Sequence, residues 1–449
     1  MLRIINQLTD AHVELQRICN RTHDNQVFHK EATVREILQT IRRKGDEAVL
    51  QYTADFDKQV ITADALRVRG SEIDAAYQQV SKDLIDAIRL AHQNIQTFHR
   101  QRIPRSWVNF QDDIVLGKRY SPVDRAGIYV PGGRAAYPST VLMNAVPAKV
   151  AGVERIVMVT PPGEGGSINP AVLVAAQEAG VTEIYRVGGA QAIGALAYGT
   201  ETIPQVDVIT GPGNIYVTLA KKQVFGTVGI DSLAGPSEVL IIADHTANPV
   251  FVATDLLAQA EHDPMAAAIL ITTDASLAER VAVEVAQQLQ GHPRQTLTEK
   301  AIANYGAAIV VETLEVATML SNEFAPEHLE LEVEDPWSLL EQIRHAGAIF
   351  LGHSTPEAVG DYLAGPNHTL PTSGTARYAS ALSTETFMKH SSLIQYSPNA
   401  LNQVAGAIAR LTEAEGLPSH GASVELRTQS KNRSVHRPEE GDLDGGMRG

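Results

Sequence analysis

A single cysteine, Cys19, among 449 residues excludes an intrachain disulfide framework and any metal site built on cysteine clusters. The segment around it has a polar helical pattern and no motif, so an aldehyde chemistry that runs through this thiol is not expected. Positive charge is also scarce. The chain has 37 Lys and Arg against 52 Asp and Glu, a formal charge of -15, which argues against nucleic acid as a partner. No uninterrupted apolar run approaches a membrane span, and residues 1–10 carry charges where a signal peptide needs an apolar core. A cytoplasmic location without membrane contact is the resulting expectation. What the chain does have is 44% hydrophobic residues in 48.4 kDa, enough for more than one core.

Residues 1–105 read as helical, with amphipathic stretches at 34–54 and 84–102 and little strand signal. From 120 to 351 short Val/Ile-rich runs alternate with helix-length segments, at 127–130, 155–160, 183–187, 206–210, 238–243, 267–272, 307–311 and 348–351. That alternation predicts parallel α/β sheets with crossover helices. Beyond residue 382 the sheet pattern ends. A helix is expected over 399–415, and the polar, glycine-rich stretch 428–449, which includes His436, reads as disordered.

Three of the strand-like runs end in glycine-rich turns: Tyr129, Val130, Pro131, Gly132, Gly133; then Gly188, Gly189, Ala190, Gln191; then Gly211, Pro212, Gly213, Asn214. Each enters a helix-like segment, the place where a doubly wound sheet lets a phosphate approach backbone and helix N-terminus. None completes GxGxxG, because Tyr216 stands where the third glycine of the last turn would be. Singly, each also reads as a tight connection.

The segment Leu257 to Pro264 places Gln259 and His262 three residues apart, and Pro264 is expected to stop the helix so that both project from its last turn. They form either a solvated helix end or half of a metal site. Gln is a weaker zinc ligand than Cys, His or carboxylate, so a site using it would keep metal charge in reserve for substrate. Glu327 and His328 open a Leu/Glu alternation in which adjacent side chains should diverge, which suits two separate proton-transfer roles, although locally a Glu/His pair at a strand's solvent edge is the first reading. Glu357, Asp361 and His368 lie in a Gly/Pro-punctuated stretch. Glu415 and His420 flank a helix end, and Ser237 sits in a turn that leads into a strand.

In order, the segments 129–133, 188–191, 211–214, 235–238, 259–263, 325–329, 360–362, 365–368 and 415–420 resemble the motifs of the histidinol dehydrogenase family, over about residues 10–427. The resemblance implies zinc held by Gln259, His262, Asp361 and His420, one ion per subunit. It implies substrate contacts at Ser237, Gln259, His262, His328, Asp361, Glu415 and His420, with Glu357 and His368 as further candidates. NAD contacts fall on Tyr129, Gln191 and Asn214, and Glu327 and His328 match the acid–base pair. The implied reaction is the NAD-dependent, zinc-assisted four-electron oxidation of L-histidinol to L-histidine through the aldehyde.

The implied fold is α/β, with two Rossmann-like parallel-sheet domains, an incomplete dinucleotide fold, a helical N-terminal arm and a C-terminal extension that crosses a homodimer. Its expected boundaries are 1–25 for the arm, 26–128 with 237–381 for the metal and catalytic domain, 129–236 for the NAD domain, 382–427 for the extension, which supplies Glu415 and His420 to the partner's site, and 428–449 for the tail. A zinc/NAD dehydrogenase of another amino or sulfonated alcohol, a zinc hydrolase and a non-catalytic binding protein are the competing readings.

Overall fold

Short Val/Ile runs joined by crossover helices bury both faces of the sheet they make, which favours parallel pairing. The computed structural model, which describes residues 2–21, 26–132 and 137–429, shows two such sheets and a third, smaller one. Numbered in chain order, the strands are β1 (Arg3–Ile5), β2 (Trp107–Gln111), β3 (Ile114–Pro122), β4 (Arg125–Tyr129), β5 (Arg155–Thr160), β6 (Glu183–Arg186), β7 (Val208–Thr210), β8 (Gly229–Ile230), β9 (Glu238–Ala243), β10 (Ala267–Thr272), β11 (Gly306–Val310), β12 (His328–Glu332), β13 (Ala348–Leu351) and β14 (Met388–Tyr396).

A five-stranded sheet runs β6-β5-β4-β7-β8 and a six-stranded sheet β1-β11-β10-β9-β12-β13, both parallel throughout. In the first, the chain leaves β4 toward β5 and later returns to β7 on the other side, so β4 and β7 flank a topological switch point. Every residue of β9, β10 and β12 is buried. Both sheets belong to one compact unit, residues 1–103 and 122–388. A second unit combines 104–121 with the chain from Lys389 onward. It contains the sheet β14-β3-β2 and the helices Pro398–Ala414 and Pro418–Gln429.

Three expectations need correction. The N-terminal region is not wholly helical, because β1 pairs with the edge strand β11, Arg3 opposite Ala307; three residues are too few to show a period. Strand structure also continues past residue 382: β14 is almost entirely exposed and therefore lacks the apolar alternation that marks a half-buried strand. Finally, Thr428 and Gln429 close the last helix, while 430–449, with His436, lie outside the described residues. No helix among the described residues is long and apolar enough to cross a membrane.

Candidate active site

The helix Pro249–Ala260 begins where its sequence says it should. The Asn248 side chain accepts the Val250 N–H at 3.0 Å and Pro249 takes the first position, a favourable N-terminus. It ends at Ala260, earlier than Pro264 requires. Gln259 is thus in the last turn, fully buried, while His262 sits beyond it in a turn closed by its own N–H to the Gln259 carbonyl at 3.2 Å. With its amide nitrogen toward Glu357, Gln259 donates to both carboxylate oxygens at 2.5 and 2.6 Å, and its oxygen accepts the Glu238 N–H at 3.0 Å.

Glu238 opens β9, and its backbone holds both Glu327 and His328. Its N–H donates to Glu327 Oε2 at 2.9 Å, and its carbonyl lies 3.2 Å from His328 Nδ1. Glu327 and His328 therefore converge instead of diverging, because Glu327 precedes β12 and strand alternation begins only at His328. Both side chains reach the backbone of Glu238. A carbonyl can only accept, so Nδ1 carries the ring proton and Nε2 presents its lone pair. Nε2 is buried without a hydrogen-bond partner among the described residues, 3.9 Å from Asp361 Oδ1. Burial pushes the His328 pKa down to about 3, so the ring is neutral. Burial first, and then the Glu238 charge, push the Glu327 carboxyl well above the carboxylate range.

The short helix Glu357–Tyr362 carries Glu357 at its first position and Asp361 one turn later. Ligand atoms of His262, Glu357 and Asp361 lie within 4.8 Å of one another. His368 Nδ1 is 3.1 Å from the Asp361 carbonyl and holds the backbone behind that carboxylate. Burial raises the Asp361 pKa to about 7 and lowers that of His368 to about 4; it also lowers that of His262, although that side chain is open to solvent. This nitrogen-and-oxygen donor set without a thiol fits a divalent ion of borderline hardness. Turning the Gln259 amide would place its oxygen beside Glu357, an arrangement only a proton or a cation tolerates.

Three positioning features carry no local sequence signal. The Glu238 carboxylate is fully buried against Arg21 at 3.0 Å, and the same guanidinium donates to the carbonyls of Pro236 and Met265 at 2.8 and 2.9 Å. One N-terminal residue thus ties the turn before β9 to the loop after His262. Glu330, two residues past His328 and on the same face of β12, accepts the Glu357 N–H at 2.8 Å and caps the helix that presents Asp361. It also lies in a buried cluster with Asp255 and Glu332. Only the long-range fold reveals these partners.

Burial, followed by the Asp255 charge, raises Glu330 to about 9 and Glu332 to about 8; burial raises Asp255 to about 6. The folded state thus holds protons that an unfolded Glu releases near 4.5. Stability from this source is complete below that pH and is lost as pH climbs through about 8 and 9. The melting temperature of the wild type should fall between pH 7 and about 9.5, and Glu330→Gln, which keeps the acceptor for Glu357 but has no proton to lose, should fall less. Parallel melting curves for the two proteins would contradict this reading.

At the carboxyl edge of the five-stranded sheet the three glycine-rich turns come together. Tyr129, the last residue of β4, accepts the Gly189 N–H on its hydroxyl at 3.1 Å. Gly211 follows β7 with φ +110°, and a Cβ there would lie 2.1 Å from the Tyr129 carbonyl oxygen; the crevice has room for glycine only. Gln191 is buried with both amide atoms unpartnered among the described residues. Asn214 accepts the N–H groups of Tyr216 and Val217 at 3.0 and 3.2 Å and opens the helix Ile215–Val224 at this edge. A switch-point crevice with unsatisfied buried amide groups and a helix N-terminus fits a dinucleotide. Gly133 of the first turn lies outside the described residues.

Ser237 is half-buried, and its carbonyl accepts the Ala267 N–H at 3.0 Å, which sets the turn against β10. Glu415 and His420 belong to the second unit, where both are exposed. Cys19 ends the helix Leu8–Cys19, and burial, then the Glu238 charge, pushes its thiol pKa up, away from the thiolate a covalent route needs.

The family model described as histidinol dehydrogenase matches residues 20–428. The chain is 75% identical over 430 residues to histidinol dehydrogenase 2 of Trichormus variabilis, which spans 96% of this chain and 99% of that one. It is 71% identical over 434 residues to the histidinol dehydrogenase of a Synechococcus species, covering 96% and 100% of the two chains. Among solved structures it is similar to the crystal structure of histidinol dehydrogenase from Elizabethkingia anophelis, with a TM-score of 0.89, 40% identity and coverage of 96% and 99%.

Proposed function

Because the chain belongs to the histidinol dehydrogenase family and is an oxidoreductase of histidine biosynthesis, we propose that it oxidises L-histidinol to L-histidine with NAD as acceptor and zinc at the Gln259 end of its helix. The observation that carries this reading is His328, its Nδ1–H committed to the Glu238 carbonyl and its unpartnered Nε2 aimed at the Asp361 side of the site. Zinc, held by Gln259, His262 and Asp361 with His420 of a second subunit, would orient the amine and imidazole of the substrate, and NAD would take the hydride.

His328 Nε2 accepts the hydroxyl proton as the carbon gives up its hydride, and the neutral tautomer makes that lone pair available. Glu327, adjacent and buried, takes a proton from the water that adds to the aldehyde; burial, which raises its pKa, makes its carboxylate a stronger base. Cys19, an undissociated thiol, supports a hydrate route over a thioester. Two hydrides leave per substrate, one oxygen enters from water, and the remaining protons go to solvent. Ser237, Glu357 and His368 border the substrate, and Tyr129, Gln191 and Asn214 line the NAD crevice. The homodimer reading is supported by apolar side chains exposed in the second unit, Phe110, Ile394, Leu411 and Leu426, and a cytoplasmic location by the lone cysteine. Purified protein given histidinol and NAD should form two NADH per histidinol. No NADH from zinc-replete protein would end this reading.

A further inference from the structure

We propose that Asp57 is the acid that receives the adenosine ribose hydroxyls of the dinucleotide and thereby selects NAD over its 2′-phosphorylated form. This rests on the NAD reading of the crevice given above. In doubly wound folds the ribose is held by a carboxylate at the carboxyl end of the strand next to the first one. Here that neighbour of β4 is β5, and β5 runs out into Thr160, Pro161, Pro162 and Gly163, with no acid before the exposed Glu164. The expected carboxylate is missing from its usual strand.

Another segment brings one to the same edge. The helix Asp46–Asp57 ends at Asp57, and Lys58 takes a left-handed conformation, φ +57°. Just beyond, Gln59 Oε1 accepts the Gly166 N–H at 3.1 Å, and Ile61 lies 3.5 Å from where a Gly166 Cβ would stand. Both contacts pin this segment to the turn that follows β5. The charge of Asp57 reaches the hydroxyl of Tyr129 at the end of β4. Oδ2 of Asp57 is buried and has no hydrogen-bond partner among the described residues. A carboxylate in the last turn of a helix is also opposed by the helix dipole. Burial alone raises the pKa of this carboxylate to about 6. Ribose hydroxyls would donate the hydrogen bonds it lacks, and a 2′-phosphate would meet it as like charge.

The test is calorimetric titration of the full-length protein and its Asp57→Asn variant with NAD and with NADP, alongside melting curves. Wild type should bind NAD about tenfold or more tighter than NADP. In the variant NAD affinity should fall about tenfold and the preference should narrow by a similar factor. Its melting temperature should hold or rise, since an unpaired buried charge has been removed. NAD affinity and preference that stay at wild-type values overturn the assignment of Asp57, as does an equal loss for both nucleotides with a lowered melting temperature. If wild type fails to bind NAD, the crevice reading falls and Asp57 falls with it. Should Asp57→Asn not fold, Asp57→Ser carries the same comparison.

Discussion

Replacing His328 with Asn is expected to lower kcat for histidinol oxidation by about 10²–10⁴-fold, the usual worth of a positioned general base, while KM changes by only a few-fold. The Asn amide can still donate to the Glu238 carbonyl that Nδ1 now uses at 3.2 Å, so the packing at the start of β12 survives. What disappears is the only lone pair of the ring that points into the site, Nε2, near Asp361. A loss in kcat without a matching rise in KM marks an interaction made in the transition state and not in ground-state binding. Steady-state kinetics at saturating NAD, with a melting curve to verify folding, make the measurement. A variant within tenfold of wild-type kcat would remove His328 from the role of base.

The second large effect should come from Asp361→Ala. Its carboxylate converges with His262 and Glu357 within 4.8 Å, and it is the charged member of the ligand set proposed for zinc. Its loss should cost more affinity than the roughly 10–100-fold typical of an outer partner of a metal site. Competition of the protein with a chromogenic chelator reads this directly. Turnover should vanish with the metal and should not return at zinc concentrations that restore chelator-treated wild type. Zinc affinity equal to that of wild type would place the ion elsewhere.

Much of the site could be read along the chain because some residues announce their local role. Asn248 and Pro249 mark a helix start, and the glycines after β4, β6 and β7 mark close approaches that a side chain would block. The reading failed where the signal was non-local or weak. Pro264 shows only where a helix cannot continue, and this helix had already ended at Ala260. The polar face of β14 offers no period to detect. The Leu/Glu alternation at 328–332 reads locally as a solvent edge. In the fold β12 lies between β9 and β13, and every one of its residues is buried.

The sequence by itself determined the α/β class, the glycine-rich turns and the order of the family's motifs along the chain, since these depend on local backbone preference and on motif order. Tertiary structure alone decided how Glu327 and His328 are held, because the group that orients both is the Glu238 backbone, 89 and 90 residues away. It also decided that Glu330 and Glu332 hold protons and that Asp57 stands beside the turn after β5. The physical reason is the same in each case. A side chain's tautomer, charge and unmet hydrogen bonds are set by what burial leaves within about 3 Å of it, and neighbours at that range come from segments far apart in the chain.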